Sequence, residues 1–178
     1  MSVPVSVQWV GGVDGHVELI DQTLLPGALE RIACRDVATV VEAIQSLRVR
    51  GAPAIGIAGG YGLVVAADEA RRSHLTPAAA RAHVLARGEE LASARPTAVN
   101  LRWAVERTLA AIAAMPETTT AVELGERLLA EATGIHDEDR RLCAAIGRHG
   151  AAVLPQGGVL THCNTGALAT GGEGTALA

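Results

Sequence analysis

Lysine is missing from this chain altogether, and so is phenylalanine. With no lysine, Schiff-base chemistry and a phosphate loop built on a lysine are excluded within the chain. All 15 basic side chains are arginines, so bidentate binding of phosphate stays open. Aromatics are limited to Trp9, Tyr61 and Trp103. The core must therefore come from Ala, Val, Leu and Ile, which suits close-packed helices. Cysteine is scarce as well: Cys34, Cys143 and Cys163 are odd in number and show no C-x-x-C spacing. Neither a disulfide framework nor a zinc site is expected. Basic charge is not in excess, the net charge being −4. A general nucleic-acid partner would call for a basic footprint. The first thirty residues hold no Lys or Arg and no long apolar core, so no secretory leader is expected. The longest apolar run, 52–67, is short and glycine-rich for a membrane span. These absences predict a soluble protein of the reducing cytoplasm.

What is present is a set of short β-type runs followed by helical ones. Residues 5–10 and 16–20 flank Gly11-Gly12-Val13-Asp14-Gly15, turn chemistry that predicts a hairpin, and 29–34 adds a third strand. Asp36 is placed to cap a helix whose apolar face is Val37, Val40, Val41, Ile44 and Leu47. That helix is expected to end at Arg50-Gly51, and a second to cover 55–70. Gly56, Gly59, Gly60 and Gly62 disfavour that helix unless another backbone or a ligand comes close. Thr76-Pro77 opens a third helix to 94. Thr97 is expected to cap a fourth through 115. A fifth spans 121–152 with a bend at Gly134. Pro155-Gln156-Gly157-Gly158 turns the chain into Val159-Leu160-Thr161, a predicted strand. A helix is expected to start at Gly166.

The fold class is α/β. Residues 1–150 read as an α+β part, a small antiparallel sheet with a helical bundle. Residues 151–178 read as the first strand-helix unit of a Rossmann-like domain. One strand and one helix cannot make a parallel sheet. That second domain is therefore expected to be incomplete, with apolar surface exposed around Val159 and Leu160.

Cys163 follows the predicted strand and precedes the predicted helix. That place lowers a thiol's pKa and keeps it reachable, and ligands gather beyond the carboxyl end of such strands. Against this stands the ordinary role of a free cysteine as a small buried hydrophobe. His162 beside it is turned away by strand alternation. Arg50 closes one helix, where a cation is favourable in any case. Arg50 also stands beside the Gly51 and Ala52 amides at the start of the next helix, a ready anion site. Arg95-Pro96-Thr97 repeats the design, and two such junctions point to phosphate. The run Asp137-Glu138-Asp139-Arg140-Arg141 is expected to be a solvated face. Cys34 and Cys143 read as packing residues. Gly171-Gly172-Glu173-Gly174 lacks the lysine of a Walker loop and the spacing of a dinucleotide fingerprint.

Three ordered motifs, Arg50-Gly51-Ala52-Pro53-Ala54-Ile55-Gly56, Arg95-Pro96-Thr97-Ala98-Val99-Asn100-Leu101 and Thr161-His162-Cys163-Asn164-Thr165-Gly166, resemble the methylthioribose-1-phosphate isomerase family of methionine salvage. The resemblance implies an aldose-ketose isomerase, usually a homodimer, acting on a small sugar phosphate with no metal or organic cofactor. It implies that Arg50, Gly51, Ala52 and Arg95 bind the substrate, mainly around its phosphate, and that Cys163 is one of two catalytic groups. The other is an Asp expected beyond Ala178. The chain is thus expected to be an incomplete form of the enzyme. Two relatives in the same superfamily remain open alternatives: ribose-1,5-bisphosphate isomerase, and the non-enzymatic regulatory subunits of initiation factor 2B.

Overall fold

The computed structural model describes residues 4–154 and 157–176. The chain starts with three strands, β1 (Val7–Val10), β2 (His16–Ile20) and β3 (Arg31–Cys34), paired antiparallel in the order β1-β2-β3. Val7 pairs with Leu19 and Val17 with Cys34. All four are buried, so the period-2 pattern faces the core as alternation requires. Gly11 takes the positive φ of the hairpin turn, which the Trp9 indole closes by donating to the Gly12 carbonyl at 2.9 Å.

Five helices follow, α1 (Val37–Gln45), α2 (Ala52–Arg72), α3 (Pro77–Ser93), α4 (Val99–Ala110) and α5 (Ala121–Ala151). Asp36 caps α1 as expected, its carboxylate accepting from the Thr39 amide at 2.7 Å. Leu47 does not extend the apolar face. It is exposed with a positive φ, and Val49 enters the core instead. The chain has already left the helix at Ser46, so helical spacing no longer governs position 47. Thr76 caps α3, and Thr120 with Glu123 forms a reciprocal capping box on α5. α5 runs through Gly134 as a single helix.

The centre of the molecule is α2, whose residues from Ala54 to Asp68 are all buried. It packs on α3, α4 and α5 and lies against the sheet. The glycines make this possible. A Cβ on Gly56 would stand 3.0 Å from the Asn100 carbonyl oxygen of α4. The expectation of close backbone approach holds there.

The last motif differs from its expected form. Residues 159–161 form no strand, and the helix expected from Gly166 is one 3-10 turn, Ala167–Ala169. A strand needs a neighbour to receive its backbone hydrogen bonds, and no described strand runs beside 159–161. Val159 and Leu160 are exposed, Leu160 at 99%, as the missing sheet predicts. Pro155 and Gln156 of the expected turn lie outside the described residues.

Candidate functional site

The site is built around the head of α2. Gly51 is its N-cap residue, with φ 104°, and no side chain caps the first turn. Pro53 brings no N–H, so Ala52 and Ala54 carry the first free amides. α4 begins the same way. Its N-cap is Ala98, again without a side-chain cap. Thr97 therefore does not cap α4 as expected, because the helix starts one residue too late for its hydroxyl to serve. Among the described residues α1, α3 and α5 carry side-chain caps, whereas α2 and α4 do not. Each uncapped helix is preceded by its arginine, Arg50 or Arg95. The first turn of α4 packs on the second turn of α2, where Gly56 meets the Asn100 carbonyl. Open helix N-termini present N–H groups and positive potential to an anion.

The chain after Cys163 returns to this place. Gly166 and Gly174 bridge antiparallel, and the Thr175 amide donates to the Thr165 carbonyl at 2.9 Å. The 3-10 turn seats Ala169 directly on Gly51, where any side chain would collide with it. Gln22, buried in the loop after β2, links the two motifs. Its amide nitrogen donates to the Leu168 carbonyl at 2.7 Å, and its amide oxygen accepts from Arg50 Nε at 3.3 Å. The assignment of N and O follows from the partners, since a carbonyl only accepts and a guanidinium only donates. Ser6 Oγ donates to the Thr170 carbonyl at 2.9 Å. The Gly171 amide donates to Asp139 Oδ2 at 2.6 Å.

A buried relay holds the far side. His136 Nε2 lies 3.0 Å from the Gly171 carbonyl, and its Nδ1 3.0 Å from the Tyr61 hydroxyl. The carbonyl can only accept, so Nε2 carries the proton and Nδ1 accepts from Tyr61. Burial, chiefly, holds His136 below its ordinary pKa, which favours this neutral form. Burial likewise raises Tyr61, keeping its hydroxyl a donor.

Asp21 beside Gln22 is also buried. Burial pushes its carboxyl up, but bonds from the Thr23 hydroxyl and amide and from Arg48 outweigh that and hold it low. The Asp21-Gln22 loop is thereby tied to the residues that lead into α2.

Cys163 is exposed and has φ 63°, a conformation that is uncommon for a residue with a side chain. The helix that was to follow it is absent, and one 3-10 turn stands in its place. Among the described residues no hydrogen bond joins Cys163 to Arg50 or Arg95. The structure thus brings the 50–52 motif to the 168–169 turn, sets the α4 start against Gly56, and leaves the thiol itself on an open loop. Cys34 and Cys143 are packing residues, as expected. Burial pushes Cys34 up to about 11 and raises Cys143 as well.

The run 137–141 is only partly the solvated face expected of it. Asp139 holds Gly171, and Glu138 takes a two-pronged pair from Arg107 at 2.5 and 2.7 Å. Gln22, Ser6, Tyr61, His136 and Asp139 were not legible as site residues. Each is a single polar group whose partner lies far away in sequence. The one local signal was Asp21-Gln22, a polar pair directly after an apolar strand.

Two clefts flank the site. One, of about 910 Å³, is lined by residues including Trp9, Tyr61, His136, Arg140 and Gly172. The other, of about 160 Å³, lies where α2 and α4 meet α5, between Pro53, Gly56, Asn100, Trp103, Ile135 and Leu142. Among the described residues no group of three or more His, Cys, Asp or Glu side chains is arranged to hold a metal ion. None of the described helices is long and apolar enough to cross a membrane.

The model of the initiation factor 2 subunit family matches residues 48–176. A methylthioribose-1-phosphate isomerase of Herpetosiphon aurantiacus is 49% identical over 162 residues, covering 90% of this chain and 44% of the relative. A 5-deoxyribose 1-phosphate isomerase of Moorella thermoacetica is 51% identical over 167 residues, 93% of this chain and 46% of the relative. Among solved structures, the 5-methylthioribose 1-phosphate isomerase of Pyrococcus horikoshii superposes with a TM-score of 0.86 at 37% identity, covering 97% of this chain and 47% of that one. The delta subunit of translation initiation factor eIF-2B from A. fulgidus gives 0.84 at 42% identity, covering 99% and 49%. The chain spans about half the length of the curated relatives it matches.

Proposed function

The chain belongs to the initiation factor 2 subunit family, and on that premise we propose that it supplies the phosphate-binding part of a sugar-phosphate isomerase site. The substrate is 5-methylthioribose 1-phosphate and the product its 1-phosphoketose. The observation that carries this reading is a pair of uncapped helices, each preceded by its own arginine, with the start of one packed on the second turn of the other. Arg50, the Gly51 and Ala52 backbone and Arg95 hold the phosphate. Cys163, on the loop that returns to Gly51, serves as one member of an acid/base pair. The homodimer and the cytoplasmic setting that accompany such an isomerase belong to the same proposal.

The chemistry explains why a clamp is needed. The anomeric oxygen carries the phosphate, so the ring cannot open as a free sugar's does. Ring opening must be assisted, and hydrogen must then move from C2 to C1. An acid/base pair in a water-poor pocket serves that task. Holding the dianion at two arginines orients the sugar over the thiol. A carboxyl is the partner expected for that thiol.

The test is calorimetric binding of methylthioribose 1-phosphate to the 178-residue chain. Arg50→Ala and Arg95→Ala should each weaken binding by about tenfold or more, equivalent to losing one charge-assisted contact. Cys163→Ala should bind normally and abolish any turnover. Failure of the parent chain to bind, with the fold intact by circular dichroism, would sink the reading. The 5-deoxyribose 1-phosphate relative supports a second substrate with the same clamp, and titration of both sugars ranks them. The likeness to the eIF-2B delta subunit supports a second, non-catalytic reading. On that reading sugar binding survives, but Cys163→Ala changes no rate.

A further inference from the structure

We propose that Gln22 is a positioning residue that couples the Arg50 clamp to the Cys163 loop. The inference rests on the phosphate reading above and goes beyond it. Gln22 is only 1% exposed, yet it belongs to neither motif. Its backbone amide donates to the Arg48 carbonyl at 2.9 Å, which fixes it to the segment leading into α2. Both ends of its side chain are then committed. The oxygen holds Arg50 Nε, and the nitrogen holds the Leu168 carbonyl. Nε is held by Gln22, whereas among the described residues the terminal nitrogens of this exposed guanidinium make no hydrogen bond. A guanidinium fork gains from such orientation, because less freedom is lost when an oxyanion binds.

The second arm acts on the loop. Leu168 is the middle residue of the 3-10 turn, five residues after Cys163. The turn is seated on Gly51, the residue after Arg50. An anion that draws on Arg50 therefore pulls on the same amide group that fixes the turn. Linked hydrogen bonds polarise one another, so tightening one arm is felt at the other. No other described side chain touches both motifs through hydrogen bonds. Asp21, the neighbour, serves a different purpose, since its partners Thr23 and Arg48 lie in the loop and the α2 approach.

The experiment follows Cys163 alkylation by iodoacetamide in the full chain, located by peptide mass spectrometry, during a titration with inorganic phosphate. Cys34 and Cys143 are buried and serve as internal controls. Phosphate affinity is measured in parallel by calorimetry. In the parent, alkylation should slow in proportion to phosphate occupancy. Gln22→Met, which keeps the volume and loses both polar arms, should weaken phosphate about tenfold and leave alkylation unresponsive even at saturation. Thr23→Val loosens the same loop without touching Arg50 or Leu168. It should lower thermal stability and keep the coupling, which separates positioning from mere loop support.

Coupling that persists in saturated Gln22→Met would overturn the inference and show that phosphate shields the thiol directly. A parent that binds phosphate with no change in alkylation would also overturn it, leaving the clamp reading intact. A parent that binds no phosphate would bring down the clamp reading and the coupling together.

Discussion

Gly51 shows how much one residue can be asked to do. It must adopt φ 104°, start α2 and leave room for Ala169. Gly51→Ala combines a strained backbone with a collision, and should cost about 1–3 kcal/mol in urea unfolding. The damage should show as faster hydrogen exchange in 166–175, because Ala169 is what the new methyl strikes. His136 sets a pH dependence. Its folded pKa lies below the ordinary 6.5, so an unfolded chain takes up a proton that the folded chain refuses. The stability tied to this group is fully present above 6.5 and is lost as pH falls toward the folded value. His16, lowered chiefly by burial with Arg35 adding, contributes in the same direction. Unfolding midpoints measured between about pH 7.5 and pH 5.5 should decline, and His136→Gln should flatten that decline. At this scale the arginine-glycine motifs were legible, because glycine and arginine mark a backbone position and a charge by themselves. Gln22 and His136 were not, because a polar group's value depends on a partner 146 or 35 residues away.

Elements were legible where the signal was local. The hairpin, the third strand and the caps at Asp36 and Thr76 follow from neighbouring residues. Thr120→Ala removes both halves of the capping box, and should cost about 1 kcal/mol by chemical denaturation. The boundaries of α2 and α4 were misplaced because tertiary packing decides them. α2 begins at Ala52, ahead of its glycines, since their lack of side chains is what admits α4. Gly56→Ala tests this directly. The opposing atom is a backbone oxygen, which cannot swing aside as a leucine tip can, so a loss of about 1–3 kcal/mol is expected. Sugar-phosphate affinity should fall with it, since Arg95 leads into the displaced helix. The final strand-helix unit was misread for the opposite reason. Val159-Leu160-Thr161 has strand composition, but composition alone supplies no partner for its backbone.

Across the whole molecule, binding and stability should be linked. A sugar phosphate that bridges Arg50 and Arg95 favours only the folded chain. At a hundredfold excess over its dissociation constant it should add about 2.7 kcal/mol. The melting temperature should rise with ligand in the parent and stay level in Arg50→Ala. The polar ties that assemble this region join residues far apart in sequence. Ser6 just ahead of β1 holds the Thr170 carbonyl across 164 residues. Closing so long a loop costs entropy that grows only slowly with length, yet it imposes an order in time. On a ribosome the first hairpin emerges early and must wait for a partner made 164 residues later. The 165–175 segment is therefore expected to dock only after the sheet and the helices it rests on have formed.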